Sequence, residues 1–530
     1  MSIRISLDNA PDFFTNLDFV SGRILLGINR PENVGNIVVK LEGEARTALS
    51  APEFVDYDRR RASMPGPGSG DVVTENHKLL YMVQQIYPDQ RTLGSSSMNS
   101  MPGVLHPGQH EFPFKFKLPL NNICGDTNAM AALNGVGGVG GSSNQGLLGL
   151  GGYRTMDGTK QLMLQHVKTT LPPSLTGFPR EAEIRYYIKV TIQRPGFFKE
   201  NWRYQVGFKF LPVEPPRPPK TSQEAFARRP FSFKPRSPAP IKPKRSFFGS
   251  KTNLENADEA QEKPPQIEMS ARLPFPSILT CNQPVPLRLI AKKLEQSTAQ
   301  IFVISLEVAL IGFTSVRAHH LQNTEVTRWV VCSESNLQIP VGKPADAVDS
   351  EFVIPDGLWA NRPLPNTIAP SFTACNLQRR YELEVKIGLS WGLPNHKGKD
   401  VTMYPQTLYL PLKLSKVEVF SGISPPSQLL DSSSYRPQQA TAQQPPLPPR
   451  TSGPGATVPQ QQQQQPPPAD ALYPPQLGPN NMPGHDDAPP PSYDEAMAQD
   501  LTAPVERPAY SGVTAENAPS SMPPEKSGLH

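Results

Sequence analysis

Hydrophobic residues alternate with polar ones in many short runs along this chain, which is the period of a half-buried β-strand. The first run places Ile3, Ile5 and Leu7 on one face, and residues 112–118 place three phenylalanines on one face. Further strands are predicted at residues 24–28, 37–45, 75–87, 184–192, 285–290, 301–310, 327–331, 381–389 and 407–414. No long helix is predicted between them, so the pattern indicates an all-β protein with two sandwiches.

Changes in composition divide the chain into four parts. Two glycine-rich stretches interrupt the pattern of the first sandwich and are predicted to be flexible insertions. The last part is rich in Pro and Gln and has too few apolar residues to offset chain entropy, so it is predicted to be disordered. The parts are the first sandwich at 1–213, with insertions at about 58–71 and 134–152, a basic Pro-rich linker at 214–264, the second sandwich at 265–418, and the tail at 419–530.

Length, charge and hydropathy limit the classes of protein to which this chain can belong. The chain has 530 residues, more than one hydrophobic core usually holds. Its net charge of +5 is small and much of the positive charge lies in residues 217–251, so no nucleic acid partner is predicted. The N-terminus lacks the apolar run of a secretory signal, and the most apolar window, 301–312, is too short to span a bilayer. A cytoplasmic protein is expected.

The sequence does not predict an enzyme, a cofactor or a metal site. Cys124, Cys281, Cys332 and Cys375 form no CxxC pair and have no histidine at ligand spacing, so they are predicted to be free, mostly buried thiols. Residues 135–140 spell GxGxxG, but the strand and helix that a dinucleotide site requires are not predicted beside them. The sequence contains no Walker lysine, no HExxH and no nucleophile elbow.

One Pro-Pro-x-Tyr sequence lies in the tail, at Pro490, Pro491, Ser492 and Tyr493. Proline fixes φ at about −65°, so the Pro-Pro step already has the polyproline II shape that WW domains bind. The Tyr493 ring and hydroxyl would fill a second pocket. The sequence therefore predicts a WW-domain docking motif, and the alternative is that a proline-rich tail contains such a tetrapeptide by chance.

The tail also contains a candidate SH3 motif. Pro445, Pro448 and Arg450 fit the PxxPxR form that SH3 grooves bind. Because such strings are common in proline-rich sequence, the alternative is again a chance match.

The basic block at residues 217–251 offers three serines to kinases, Ser232, Ser237 and Ser246. A phosphate there would offset positive charge or create a docking site for a phosphoserine reader such as a 14-3-3 protein. Alternatively the block contacts an anionic membrane surface, or it is a solvated loop with neither role.

Five stretches of the first sandwich occur in an order that resembles a known family. They are residues 19–27 (FVSGRILLG), 37–45 (IVVKLEGEA), 75–81 (ENHKLLY), 105–119 (LHPGQHEFPFKFKLP), and 171–174 (LPPS) followed by 184–188 (IRYYI). The second sandwich matches more loosely, through residues 285–289 and 381–385. In these features the chain resembles the arrestin-related trafficking adaptors, in particular the fungal ones.

The resemblance implies two tandem arrestin-like, immunoglobulin-type β-sandwiches followed by a disordered Pro/Gln-rich tail. It also implies that Pro490, Pro491 and Tyr493 recruit a HECT-type ubiquitin ligase through its WW domains, while the sandwiches recognise cytosolic regions of membrane transporters or receptors. Such an adaptor is cytoplasmic, is recruited to the plasma membrane or endosomes, and promotes ubiquitin-dependent endocytosis. The two insertions depart from the family pattern, and no counterpart of the buried charged core of visual and β-arrestins is found.

Other functions fit parts of the sequence. An arrestin-like signalling scaffold, for example in ambient-pH sensing, keeps the fold, as does a sorting or coat-associated module in which the tail motif is incidental. A transcription-linked protein explains the tail and the basic block but leaves both sandwiches without a role. Residues 417–525 contain no lysine, so ubiquitin placed on this chain is expected on a folded domain or the linker.

Overall fold

A computed structural model provides the structure of the chain. It describes residues 1–50, 72–88, 103–133, 158–178, 181–195, 199–234, 264–394, 401–403, 408–426, 501–504, 507–512 and 514. Nearly all regular structure in these residues is β-strand, and the strands form two sandwiches. The all-β class predicted from the hydrophobic alternation is therefore confirmed.

The first sandwich contains two antiparallel sheets and two short helices. Its elements are β1 (Ser2–Leu7), β2 (Phe19–Ile28), β3 (Glu32–Val34), β4 (Ile37–Ser50), β5 (Val72–Tyr87), β6 (Gly103–Leu105), β7 (Gly108–Lys117), α1 (Thr127–Leu133), α2 (Gly158–Leu162), β8 (Leu175–Phe178), β9 (Ala182–Ile192) and β10 (Trp202–Phe208). One sheet has the order β1-β2-β7 and the other β10-β9-β4-β5, with β8 paired to β9. β3 pairs with β6.

The core of the first sandwich lies between these sheets. Phe114 and Phe116 are buried in it and Phe112 packs at its edge, so the three aromatics share one face as predicted. Tyr186 of β9 enters from the other sheet and lies against Gly43 of β4, where a Cβ atom would lie only 2.7 Å from the ring. The glycine therefore allows the close approach of the aromatic ring.

The second sandwich also has two sheets. Its strands are β11 (Glu224–Ser232), β12 (Gln266–Pro274), β13 (Ile278–Thr280), β14 (Arg288–Lys293), β15 (Gln300–Ala318), β16 (Leu321–Glu334), β17 (Ile339–Val341), β18 (Glu351–Val353), β19 (Phe372–Thr373), β20 (Leu377–Pro394), β21 (Val401–Met403) and β22 (Leu408–Phe420). One sheet has the order β11-β12-β14-β18, and the other has β13-β22-β20-β15-β16 with β17, β19 and β21 added at its strands. Trp359 and Trp391 are buried in the core between them.

Long strands of the second sandwich extend into the first. β15 is 19 residues long, and its last residues pair with the start of β20, Val316 with Leu377. Val316, Ala318 and Leu377 are buried in the hydrophobic core of the first sandwich. The two sandwiches therefore share a continuous apolar seam.

Two segments differ from the sequence-based expectation. The predicted linker at 214–264 contains β11, which pairs with β12 along its length and forms the edge of a sheet. An edge strand tolerates Pro230 because its outward amide needs no partner, so a Pro-rich and basic sequence concealed a strand. The described residues between 501 and 512, in a tail predicted to be disordered, pack against both sandwiches. Neither helix in the described part of the chain is long or apolar enough to cross a bilayer.

Candidate functional site

The described residues between 501 and 512, here called the docked segment, lie across both sandwiches. Leu501 is buried against Leu17, two residues before β2, with the partly buried Leu120 and Ala503 beside them. The segment begins eight positions after Tyr493 of the Pro-Pro-x-Tyr sequence. An apolar residue in a Pro-rich tail thus finds its hydrophobic partners on the folded body.

Arg507 and Tyr510 attach the docked segment to the first sandwich. The Arg507 guanidinium lies 2.5 Å from Asp18 Oδ1 and donates a 3.1 Å hydrogen bond to the Phe13 carbonyl. The Tyr510 ring packs on Phe13 with the ring centroids 6.3 Å apart, and Lys209 Nζ donates a 2.7 Å hydrogen bond to the Tyr510 hydroxyl. These contacts combine a partly buried ion pair with apolar packing.

The contacts with the second sandwich are made through two asparagines. Asn282 Nδ2 and Asn366 Nδ2 donate to the Ala509 carbonyl at 3.0 and 2.8 Å. The Ser511 amide donates to Asn366 Oδ1 at 2.7 Å. The second sandwich binds backbone groups of the docked segment, and the first sandwich binds its side chains. The docked segment therefore bridges the two sandwiches.

Burial changes the proton affinity of two groups that hold this segment. Burial raises the pKa of Asp18, while the Thr15 amide and Arg507 oppose that shift. Burial lowers the pKa of Lys209 to about 8, and nearby Asp12 opposes the shift. The docking surface therefore holds one lysine that changes charge near neutral pH.

A polar junction joins the two sandwiches beside their shared apolar seam. The buried carboxylate of Glu75 on β5 lies 2.9 Å from the Arg317 guanidinium and accepts a hydrogen bond from the His319 amide. Thr47 Oγ1 donates to the Arg317 carbonyl at 2.6 Å, and Asn376 Nδ2 donates to the Ala45 carbonyl at 3.1 Å. The junction fixes the end of β15 against β4 and β5.

Four potential metal ligands meet at the same junction, on elements far apart in sequence. They are His77 of β5, Cys124 just before α1, His166 after α2, and Cys375 between β19 and β20. Their ligand atoms all lie within 4.8 Å of one another. A hydrogen bond from Cys124 lowers the pKa of Cys375, and the same contact raises that of Cys124.

A buried charge cluster lies on the outer face of β4, β5 and β9. The Lys78 ammonium forms ion pairs with Glu42 and Glu44, and Arg185 pairs with Glu44 at 3.0 Å. Burial opposes both shifts, yet the ion pairs hold the pKa of Glu44 far below and that of Lys78 above their ordinary values. The Tyr187 hydroxyl donates to this carboxylate pair.

Most of the residues predicted as docking or modification sites lie outside the described residues. These are Pro490, Pro491, Ser492, Tyr493, Pro445, Pro448, Arg450, Ser237 and Ser246. Ser232 is described, and it is the exposed last residue of the edge strand β11, opposite Gln266. Its phosphorylation stays a prediction.

Sequence reasoning did not find the docked segment, the buried charge cluster or the four potential metal ligands. The charge cluster had one local signal, because Glu42, Glu44 and Lys78 lie within strands that are otherwise strongly apolar. The metal ligands had none, since their spacing follows no ligand motif. Only the pairing of distant strands brings them together.

Comparisons with known proteins agree with this architecture. Residues 3–129 match the family model described as arrestin (or S-antigen), N-terminal domain. A segment of 125 residues, 23% of this chain, is 22% identical to "Arrestin-related trafficking adapter 10" of Lachancea thermotolerans. The matched segment spans only 28% of that relative's length. Residues 3–129, which include strands β1 to β7 of the first sandwich, are therefore assigned to an arrestin N-terminal domain, and the chain is similar to an arrestin-related trafficking adapter over part of its length.

Proposed function

We propose that this protein is an adaptor that brings a WW-domain HECT-type ubiquitin ligase to plasma-membrane transporters or receptors and so promotes their ubiquitin-dependent endocytosis. The observation that carries the proposal is one chain that combines an arrestin N-terminal domain with a Pro-Pro-x-Tyr sequence. The sandwiches bind cargo, and Pro490, Pro491 and Tyr493 bind the ligase. An adaptor of this kind needs no catalytic residue, because it acts by raising the effective concentration of ligase at cargo.

The position of the docked segment supports an adaptor in which the tail binds the ligase and the sandwiches bind cargo. Tyr493 precedes Leu501 by eight positions, so the connection spans about 28 Å at most. A ligase bound at Tyr493 is therefore held close to the sandwiches rather than at the end of a long free tail. Short tethers of this length give effective concentrations in the millimolar range.

Pull-down of the full chain on an array of WW domains tests the ligase-binding half. Tyr493→Ala should abolish capture, because the tyrosine pocket contributes to binding beyond the polyproline groove. Tyr473→Ala is the matched control, since Tyr473 lies in the same tail but precedes its prolines instead of following them. Equal capture of the Tyr493→Ala and Tyr473→Ala chains would exclude the motif and with it the adaptor proposal.

Quantitative comparison of cell-surface proteins tests the endocytic half. Cells that carry Tyr493→Ala should retain a subset of transporters or receptors at the plasma membrane, with slower turnover than in cells carrying Tyr473→Ala. Unchanged turnover of every surface protein, together with altered growth at alkaline pH, would favour the signalling scaffold. Unchanged turnover with intact WW binding and normal alkaline growth would favour a sorting or coat-associated module.

The basic block at residues 217–251, which contains the edge strand β11, is proposed as a regulatory region. Exposed Ser232, with Arg229 three positions before it, and the serines Ser237 and Ser246 would accept phosphate and bind a 14-3-3 protein. The same positive charge would bind an anionic membrane surface, and phosphorylation would weaken that contact. Pro445, Pro448 and Arg450 remain a proposed SH3 site.

A further inference from the structure

The junction between the sandwiches contains the four side chains of a tetrahedral metal site. His77, Cys124 and Cys375 are buried and His166 is half-buried. Zinc bonds of about 2.3 Å to sulfur and about 2.0 Å to nitrogen place neighbouring ligand atoms about 3.3 to 3.8 Å apart. The two sulfur atoms are 3.2 Å apart and His166 Nδ1 is 4.0 Å from Cys375 Sγ, so each pair lies within about 0.6 Å of its spacing in a zinc site.

In both histidines the hydrogen bond is made by Nε2, which leaves Nδ1 to face the sulfur atoms. His77 Nε2 lies 2.6 Å from the Glu75 carboxylate, and His166 Nε2 lies 2.7 Å from the Gln161 carbonyl. Since both acceptors require a proton on Nε2, each neutral ring has its lone pair on Nδ1. Metal-bound histidines are oriented in this way, by a carboxylate or a carbonyl on the other nitrogen.

One atom of this group is difficult to explain without a ligand. His77 Nδ1 is fully buried and makes no hydrogen bond of normal geometry among the described residues, although the His77 ring and the Cys375 thiol interact. A buried polar atom without a partner costs about 1–3 kcal/mol, so native structures rarely retain one. Coordination of a cation by the Nδ1 lone pair would satisfy it.

We propose that His77, Cys124, His166 and Cys375 bind one zinc ion that joins the two sandwiches. Two thiolates and two neutral imidazoles are the ligand set of structural zinc sites, and a tetrahedral S₂N₂ arrangement favours zinc over the oxygen-seeking cations. The two thiolate charges cancel the charge of the ion, so the site is neutral in its buried setting. The Val167 amide donates to Cys375 Sγ at 3.4 Å, as expected for a thiolate acceptor.

The origin of the ligands indicates what the ion does. His77, Cys124 and His166 belong to the first sandwich and Cys375 to the second, where it lies two residues before β20. Cys124 and His166 also lie on either side of the glycine-rich insertion at about 134–152. The zinc ion therefore fixes both the seam between the sandwiches and the two ends of that insertion.

Elemental analysis of the full chain tests the proposal directly. The protein should be expressed with zinc, purified without a polyhistidine tag, dialysed and measured by plasma mass spectrometry. About one zinc per chain is expected for wild type, and background zinc for Cys124→Ala and His166→Ala. The matched control is Cys332→Ala, a buried thiol of the second core, which should retain the zinc of wild type.

Wild-type protein provides the second measurement, in case a variant does not fold. Replacement of zinc by cobalt should produce the visible bands of tetrahedral cobalt and thiolate charge-transfer bands. Chelation of the metal should increase hydrogen exchange on both sides of the seam, at residues 163–169 and 373–377. Increased exchange at both places supports a metal that joins the sandwiches.

Three results would overturn the proposal. The first is wild type with less than a tenth of a zinc per chain, and the second is equal zinc in the Cys124→Ala and Cys332→Ala chains. The third is a native chain two hydrogens lighter than its reduced form, with a peptide that links Cys124 to Cys375. That mass would show that the close sulfur pair forms a disulfide instead of holding a metal.

Discussion

Removal of the Lys78 ammonium should strongly destabilise the first sandwich. In the folded protein Lys78 is 2% exposed and is paired with both Glu42 and Glu44. Lys78→Met keeps the length of the side chain but removes the cation that pairs with both carboxylates, and it leaves Arg185 beside Glu44 and the lysines Lys40 and Lys189 near Glu42. Breaking a buried ion pair by removing one partner costs about 3–5 kcal/mol.

Proton uptake gives an independent value for the same change. With Lys78 removed, one of the two adjacent carboxylates should become protonated to restore neutrality. Moving a glutamate from its ordinary pKa of about 4.3 to a protonated state at pH 7 costs about 3.7 kcal/mol, at 1.36 kcal/mol per pH unit. The two values agree on a loss of about 4 kcal/mol, and the second predicts that the loss shrinks by about 1.4 kcal/mol per unit as the pH falls toward 4.3.

Hydrogen exchange by mass spectrometry in β4 and β5 measures the local free energy of opening. Lys413→Met is the control, because Lys413 is exposed and lies 3.6 Å from Glu384, which keeps the closer Arg328 at 2.5 Å. An exposed lysine in such a pair contributes less than about 1 kcal/mol. Adding Glu42→Gln to Lys78→Met should recover much of the lost stability. The reasoning fails if Lys78→Met costs no more than Lys413→Met at pH 7, or if its cost does not decrease in acid.

Three further predictions concern the docked segment and the core. Arg507→Ala should release the docked segment, because it removes the ion pair with Asp18. The docked segment should then lose its protection from limited proteolysis. Unchanged protection would contradict this role of Arg507. Gly43→Ala should cost about 1–3 kcal/mol in thermal or denaturant unfolding, since its Cβ would overlap the Tyr186 ring, and a cost near zero would show that the ring moves aside. Burial lowers the pKa of Lys209 to about 8 in the folded state, so between pH 8 and 9.5 the unfolded chain binds one more proton than the folded chain. The denaturation midpoint should therefore rise with pH over this interval. Lys209→Met should not show this rise.

Local sequence predicted the parts of the fold that depend on local chemistry. The alternation of Phe112, Phe114 and Phe116 predicts both the strand and its buried face, because a strand must place alternate residues on one side. β11 was missed for a related reason, since the outer half of an edge strand has no core to face and Pro230 interrupts its pattern. The alternation of apolar and polar residues therefore predicts a well-buried strand more readily than a mostly exposed one.

The candidate sites also differ in whether neighbouring residues alone are enough to predict them. The Pro-Pro-x-Tyr sequence could be recognised from four neighbouring residues, because a WW domain reads an extended peptide and needs no tertiary context. The docked segment could not, since Arg507 and Tyr510 acquire a role only through Asp18 and Phe13, almost five hundred positions away. Neither its composition nor its periodicity differs from the rest of the tail.

By itself the sequence determined the all-β class, the two sandwiches and the presence of a Pro-Pro-x-Tyr sequence, because each depends on residues that are neighbours along the chain. Only the tertiary structure decided that His77 and Cys124 of one sandwich meet Cys375 of the other, and that residues 507–512 contact both sandwiches. Contacts between distant segments depend on strand pairing and on the packing of whole sheets. No short pattern in the sequence encodes those contacts, so they appear only when the chain is folded.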